Sequence, residues 1–202
     1  DLFGGQLSLF EEKVTLSTPK SVTLQGNLFE EFTAEGQGDE KKSILKSLKT
    51  INFDYQLIDT EEERRELYEI LITSKILALD TETTSTDPID AELVGMSFSI
   101  KENQAFYVPV PPNYDEAQKI VKEFQPIFEN EEILKVGQNM KYDLLVLDNY
   151  GVELRGPMFD TMIAHYVLQP ELRHNMDYLA EIYLNYETIR IEELIGAKGK
   201  NQ

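Results

Sequence analysis

Asp80 and Glu82 stand two residues apart where the apolar run ILAL (76–79) ends, within ILALDTETTSTDP. Alternate side chains of a strand share a face, so both carboxylates point to one spot. Neighbouring carboxylates do not both stay ionised cheaply in a partly dry site, so a cation or a shared proton is expected between them. A third acid follows in NMKYDLLVLDNYG: Met140, Leu144 and Leu147 form an inward helical stripe, and Asp143 falls on it. Asn139, four residues earlier, lies on nearly the same face at the helix start. An amide, a carboxylate and free N–H groups thus converge where phosphate and metal could sit. Oxygen ligands alone favour a hard cation, Mg²⁺ or Mn²⁺. The ordinary alternatives are a turn entry for Asp-x-Glu and an Arg or Lys partner for the inward Asp143. No basic residue is adjacent in sequence to any of the three acids.

These acids belong to a chain of 202 residues, 41% hydrophobic and 28% charged, a composition suited to one well-buried domain plus an appendage. Nineteen basic against 37 acidic residues leave a net charge of −18, which argues against a broad basic surface for nucleic acid. A polyanionic partner must then be held through metal ions or by a neighbouring basic domain. With no cysteine, disulfides, thiolate metal sites and thiol chemistry are excluded. The runs ILAL and LLVL are far too short to cross a bilayer and the N-terminus lacks a signal pattern, so a cytoplasmic protein without membrane partners is expected.

Residues 1–50 are rich in Gly, Ser and Thr and are expected to be a linker; residues 51–202 form the domain. Strands are expected at 53–58, 75–82, 92–100, 104–110 and 132–137. Helices are expected at 60–74 from a Thr60 cap, at 115–130 with a break at Pro126, from an Asn139 cap to Gly151, and near 158–168, 176–185 and 190–195. The layout is α/β, with consecutive strands first and strand–helix alternation later.

The ordered segments DTETTSTDP, ELVGMSFSI, VGQNMKYDLLVLDNYGVELRGPMFDTM, RHNMDYLAE and IEELIGAKGKNQ closely resemble the proofreading 3'–5' exonuclease domain of bacterial DNA polymerase I, a DEDD exonuclease. The resemblance spans residues 53–202 and implies a ribonuclease H-like fold, a mixed sheet flanked by helices. It implies that Asp80, Glu82 and Asp143 are catalytic and hold two divalent ions, one activating water and the other stabilising the departing 3' oxygen. It places Thr83, Gln138, Asn139, Tyr142 and Arg173 against the terminal nucleotides of a single-stranded 3' end. It further implies a polymerase domain in the same full-length chain, a role in replication and repair, and a cytoplasmic, nucleoid-associated location.

Two departures modify the expectation. The family's third motif, a tyrosine and a fourth acid, lies beyond Gln202, so the fold is expected to be incomplete at the C-terminus and the isolated chain weakly active or inactive. Thr86 replaces a leucine common in relatives. Asp160 is read as the cap of helix 161–168 and Asp177 as a first-turn acid. GAKGKNQ (196–202) is read as a basic loop, and His165 and His174, without ligand spacing, are given no catalytic role. QLSLF, through Gln6, Leu9 and Phe10, resembles a peptide that docks on the sliding clamp, QGNLF less closely; packing on the domain's own surface is the alternative. The rival readings are a non-catalytic polymerase scaffold and an RNA-trimming DEDD exonuclease.

Overall fold

The computed structural model of the chain describes residues 45–189 and residue 193. The proposed linker up to residue 44, both Leu-Phe peptides, the expected helix at 190–195 apart from Glu193 and the 196–202 loop lie outside the described residues.

Strands β1 (Asp54–Leu57), β2 (Ile76–Thr83), β3 (Leu93–Ser99), β4 (Gln104–Pro109), β5 (Leu134–Gly137) and β6 (Met158–Asp160) form one sheet in the order β1-β4-β3-β2-β5-β6. β2, β3 and β4 pair antiparallel, as their short connections require; β1–β4, β2–β5 and β5–β6 pair parallel. This is the ribonuclease H-like α/β fold, a mixed sheet flanked by helices.

Helix α1 (Glu61–Leu71) opens with a capping box: the Thr60 hydroxyl accepts from Glu63 N–H while the Glu63 carboxylate accepts from Thr60 N–H. Pro126 breaks the next helical stretch into α2 (Tyr114–Glu123) and α3 (Gln125–Phe128). Phe98 of β3 packs on Phe124 and Phe128 at ring distances of 5.3 and 5.9 Å, joining that stretch to the sheet. Leu77 and Leu79 of β2 and Val146 and Leu147 of α4 (Lys141–Asp148) lie in the same buried cluster, so this face carries the core. α5 (Thr161–Leu168) and α6 (Met176–Leu184) complete the described domain.

One element departs from expectation. Residues 158–160 are not helical: Met158, Phe159 and Asp160 pair in parallel with Lys135, Val136 and Gly137, and the helix starts only after Asp160. Among the described residues no helix is long and apolar enough to cross a membrane.

Candidate active site

β2 outruns its neighbour β5: the last pair between them is Ala78↔Val136, leaving the end of β2 open on that side. Asp143 of α4 fills the opening. Its Oδ1 accepts from the Thr81 amide at 3.0 Å and from the Thr81 hydroxyl at 2.7 Å. Thr81 faces the core while Asp80 and Glu82, by alternation, face the other side, Asp80 half-buried and Glu82 exposed. All three acids thus stand at the end of one strand, Asp143 on the core side and Asp80 close enough to feel the charges of both others. Asp143, 2% exposed, meets a threonine there and no Arg or Lys; the ion pairs among the described residues lie elsewhere, at Arg64 and Arg155.

The electrostatics follow from this crowding. Burial, then the charges of Asp143 and Glu82, push the Asp80 carboxyl up to about 7. Burial also raises Asp143, against the opposing effect of the Thr81 hydrogen bonds. A divalent cation would relieve this repulsion, and an all-oxygen donor set suits a hard ion. Among the described residues no group of three acids or histidines is placed so that it could hold a metal ion.

The placement of Asp143 depends on how α4 begins. Asn139 does not cap it: Asn139 is exposed, has φ 62° in the left-handed region, and stands one residue outside the N-cap, Met140. α4 has no side-chain cap; a distant carboxylate instead holds the two residues that lead into it. Asp160 Oδ1 accepts from Asn139 N–H at 3.2 Å and Oδ2 from Met140 N–H at 2.8 Å; Oδ1 also accepts from Met162 and Ile163 N–H of α5 at 2.9 and 3.1 Å. Asp160 is thus the cap of α5, and it also clamps the entrance to α4. Gly137 is required beside it: a Cβ there would lie 2.7 Å from Met140 Cγ and 3.3 Å from the Leu79 carbonyl.

The expected substrate contacts fall into three groups. The Tyr142 hydroxyl hydrogen-bonds the Ser85 carbonyl and the Thr83 hydroxyl, and Thr83 donates to that carbonyl at 2.9 Å, pinning the loop after β2. Gln138 donates to the His174 carbonyl at 2.7 Å and accepts from the Thr161 hydroxyl. Asn139, Arg173 and Thr86 are exposed. Tyr107 was not anticipated. Its ring lies over Gly95, and burial with the nearby Glu82 charge raises its phenol. A glycine inside the strand ELVGMSFSI was the available signal, since it marks close approach by another group. Asp177 is the first-turn acid of α6, as expected, and accepts from Thr188.

Residues 55–202 match the 3'-5' exonuclease family. The chain belongs to that family. It is 34% identical over 187 residues to DNA polymerase I of Borreliella burgdorferi, covering 91% of this chain and 20% of the relative. It is 35% identical over 185 residues to DNA polymerase I of Pseudomonas aeruginosa, covering 87% and 20%. The chain thus spans a fifth of the length of these relatives. Among solved structures, Brucella melitensis NrnC with bound Mg²⁺ shares 19% identity at a TM-score of 0.56, over 75% of this chain and 70% of that one. Escherichia coli RNase D, an exoribonuclease, shares 21% at 0.57, over 74% and 39%. At these identities the fold alone is what they share.

Proposed function

We propose that the chain is the proofreading 3'–5' exonuclease part of a DNA polymerase I, hydrolysing the 3'-terminal phosphodiester of DNA and releasing 5'-mononucleotides. What supports the reading is that Asp80, coupled to the charges of Asp143 and Glu82, stands with them at the open end of β2, within the residues that match the family. Asp80, Glu82 and Asp143 would hold Mg²⁺ or Mn²⁺. When bound, such ions supply an activated water and charge stabilisation at the departing oxygen. Thr83 and Tyr142 keep the loop after β2 in place; Gln138, Asn139 and Arg173 would meet the terminal nucleotides. The −18 charge leaves bulk attraction for DNA to the polymerase part of the longer protein. Residues 1–50 act as a linker, and Gln6, Leu9 and Phe10 as a clamp-docking peptide; loss of clamp affinity on Leu9→Ala with Phe10→Ala tests the latter. The location is cytoplasmic, at the nucleoid.

The test of the main reading uses the full-length protein, 5'-labelled single-stranded DNA and Mg²⁺, beside Asp80→Ala. A ladder shortening from the 3' end that Asp80→Ala abolishes supports it. Intact DNA with well-folded protein would favour the scaffold reading, and preference for an RNA strand the RNA-trimming one.

A further inference from the structure

His165 and His174 are the only histidines of the chain. Their Nδ1 atoms lie 2.7 Å apart with the rings at 62°. A hydrogen bond at that distance needs one ring protonated on Nδ1 and the other bare there. The surroundings decide which. His165 is 4% exposed, and its Nε2 is buried without a hydrogen-bond partner among the described residues. It lines a groove of about 610 Å³ beside Asp80, walled by Phe98, Val136 and Leu179. An N–H stranded there would be costlier than a bare ring nitrogen, so His165 carries its proton on Nδ1 and donates to His174.

His174 is therefore held twice. Its ring is bonded to α5 through His165, and its carbonyl accepts from Gln138 at the β5–α4 junction. Tyr166 packs edge-on to His174 at 5.2 Å and Tyr183 to His165 at 5.7 Å. The neighbouring residue, Arg173, is exposed. In so acidic a chain a cation whose backbone is already fixed loses less freedom on meeting a phosphate than one on a free loop.

We propose that the His165–His174 pair is a latch that positions Arg173 and Gln138 for the DNA strand, with His165 as a positioning residue; this rests on the nuclease reading above. Two measurements test it. Nitrogen-15 spectra of the 202-residue chain should show one ring, absent in His165→Phe, protonated on Nδ1. Both rings protonated on Nε2 would overturn the latch. In the full-length protein, the single-stranded DNA concentration giving half-maximal 3' degradation should rise several-fold in Arg173→Ala and in His165→Phe. The double variant should rise little further, and His165→Asn, whose amide nitrogen reaches the place of Nδ1, should recover part of the loss. Losses that multiply in the double variant would overturn the inference and leave the nuclease reading standing. No degradation by the unaltered protein would overturn both.

Discussion

Thr81 gives Asp143 two hydrogen bonds, one from its amide and one from its hydroxyl, so the residue between Asp80 and Glu82 anchors the third acid. Thr81→Val removes only the hydroxyl. It is expected to lower stability by about 1–2 kcal/mol in urea denaturation, because a buried carboxylate loses a donor.

Asp80 ionises only near pH 7 when folded but near 3.8 when unfolded. Its contribution to stability is therefore complete below the unfolded value and is lost as pH climbs through about 7. Asp80→Asn never ionises. Without divalent ions it should melt higher than the unaltered protein at about pH 8, by the equivalent of about 2 kcal/mol, and alike at about pH 4. Mn²⁺ should raise the melting temperature of the unaltered protein and not that of the variant. Equal melting at both pH values would refute the crowded-carboxylate account.

Asp160→Ala strips one acceptor from four backbone N–H groups. Loss of a helix cap alone costs about 1 kcal/mol. The second clamp, on α4, should bring the total to roughly twice that, with a matching fall in nuclease activity as Asp143 loses its register. A loss confined to the cap value would mean that the α4 contact adds nothing.

Gly137→Ala places a methyl group against Met140. Overpacking of this kind costs about 1–3 kcal/mol. Adding Met140→Ala should offset part of the loss, so the double variant is expected to be more stable than the sum of the two single changes. Strict additivity in thermal melts would show that the crowding is harmless.

Much of this architecture was legible in the chain. The stripe Met140, Leu144, Leu147 and Asp143 is inward because a period of 3.6 leaves no other face for it, and the Thr60 cap and the break at Pro126 are equally local. Contacts between distant segments were not. Asn139 has the side chain of a good cap, yet it stands one residue before the N-cap in a left-handed backbone, with its own N–H held by Asp160, 21 residues away. β6 is three residues long and runs directly into α5, so its apolar residues read as one helix. The imidazole pair spans a turn, and spacing alone does not reveal that His174 folds back on His165. In the sequence Thr81 merely separates two acids; only the unequal lengths of β2 and β5 make it the seat of the third.

Lys46 pairs with Tyr186: Lys46 N–H donates to the Asn185 carbonyl at 2.8 Å and its own carbonyl accepts from Glu187 N–H at 2.7 Å. The first and last described stretches of the chain are thus fastened side by side. These two bonds lie outside the six-stranded sheet. Both bonds can break without loss of any ladder bond of that sheet, so fraying of this bridge leaves the end of β2 held by β3.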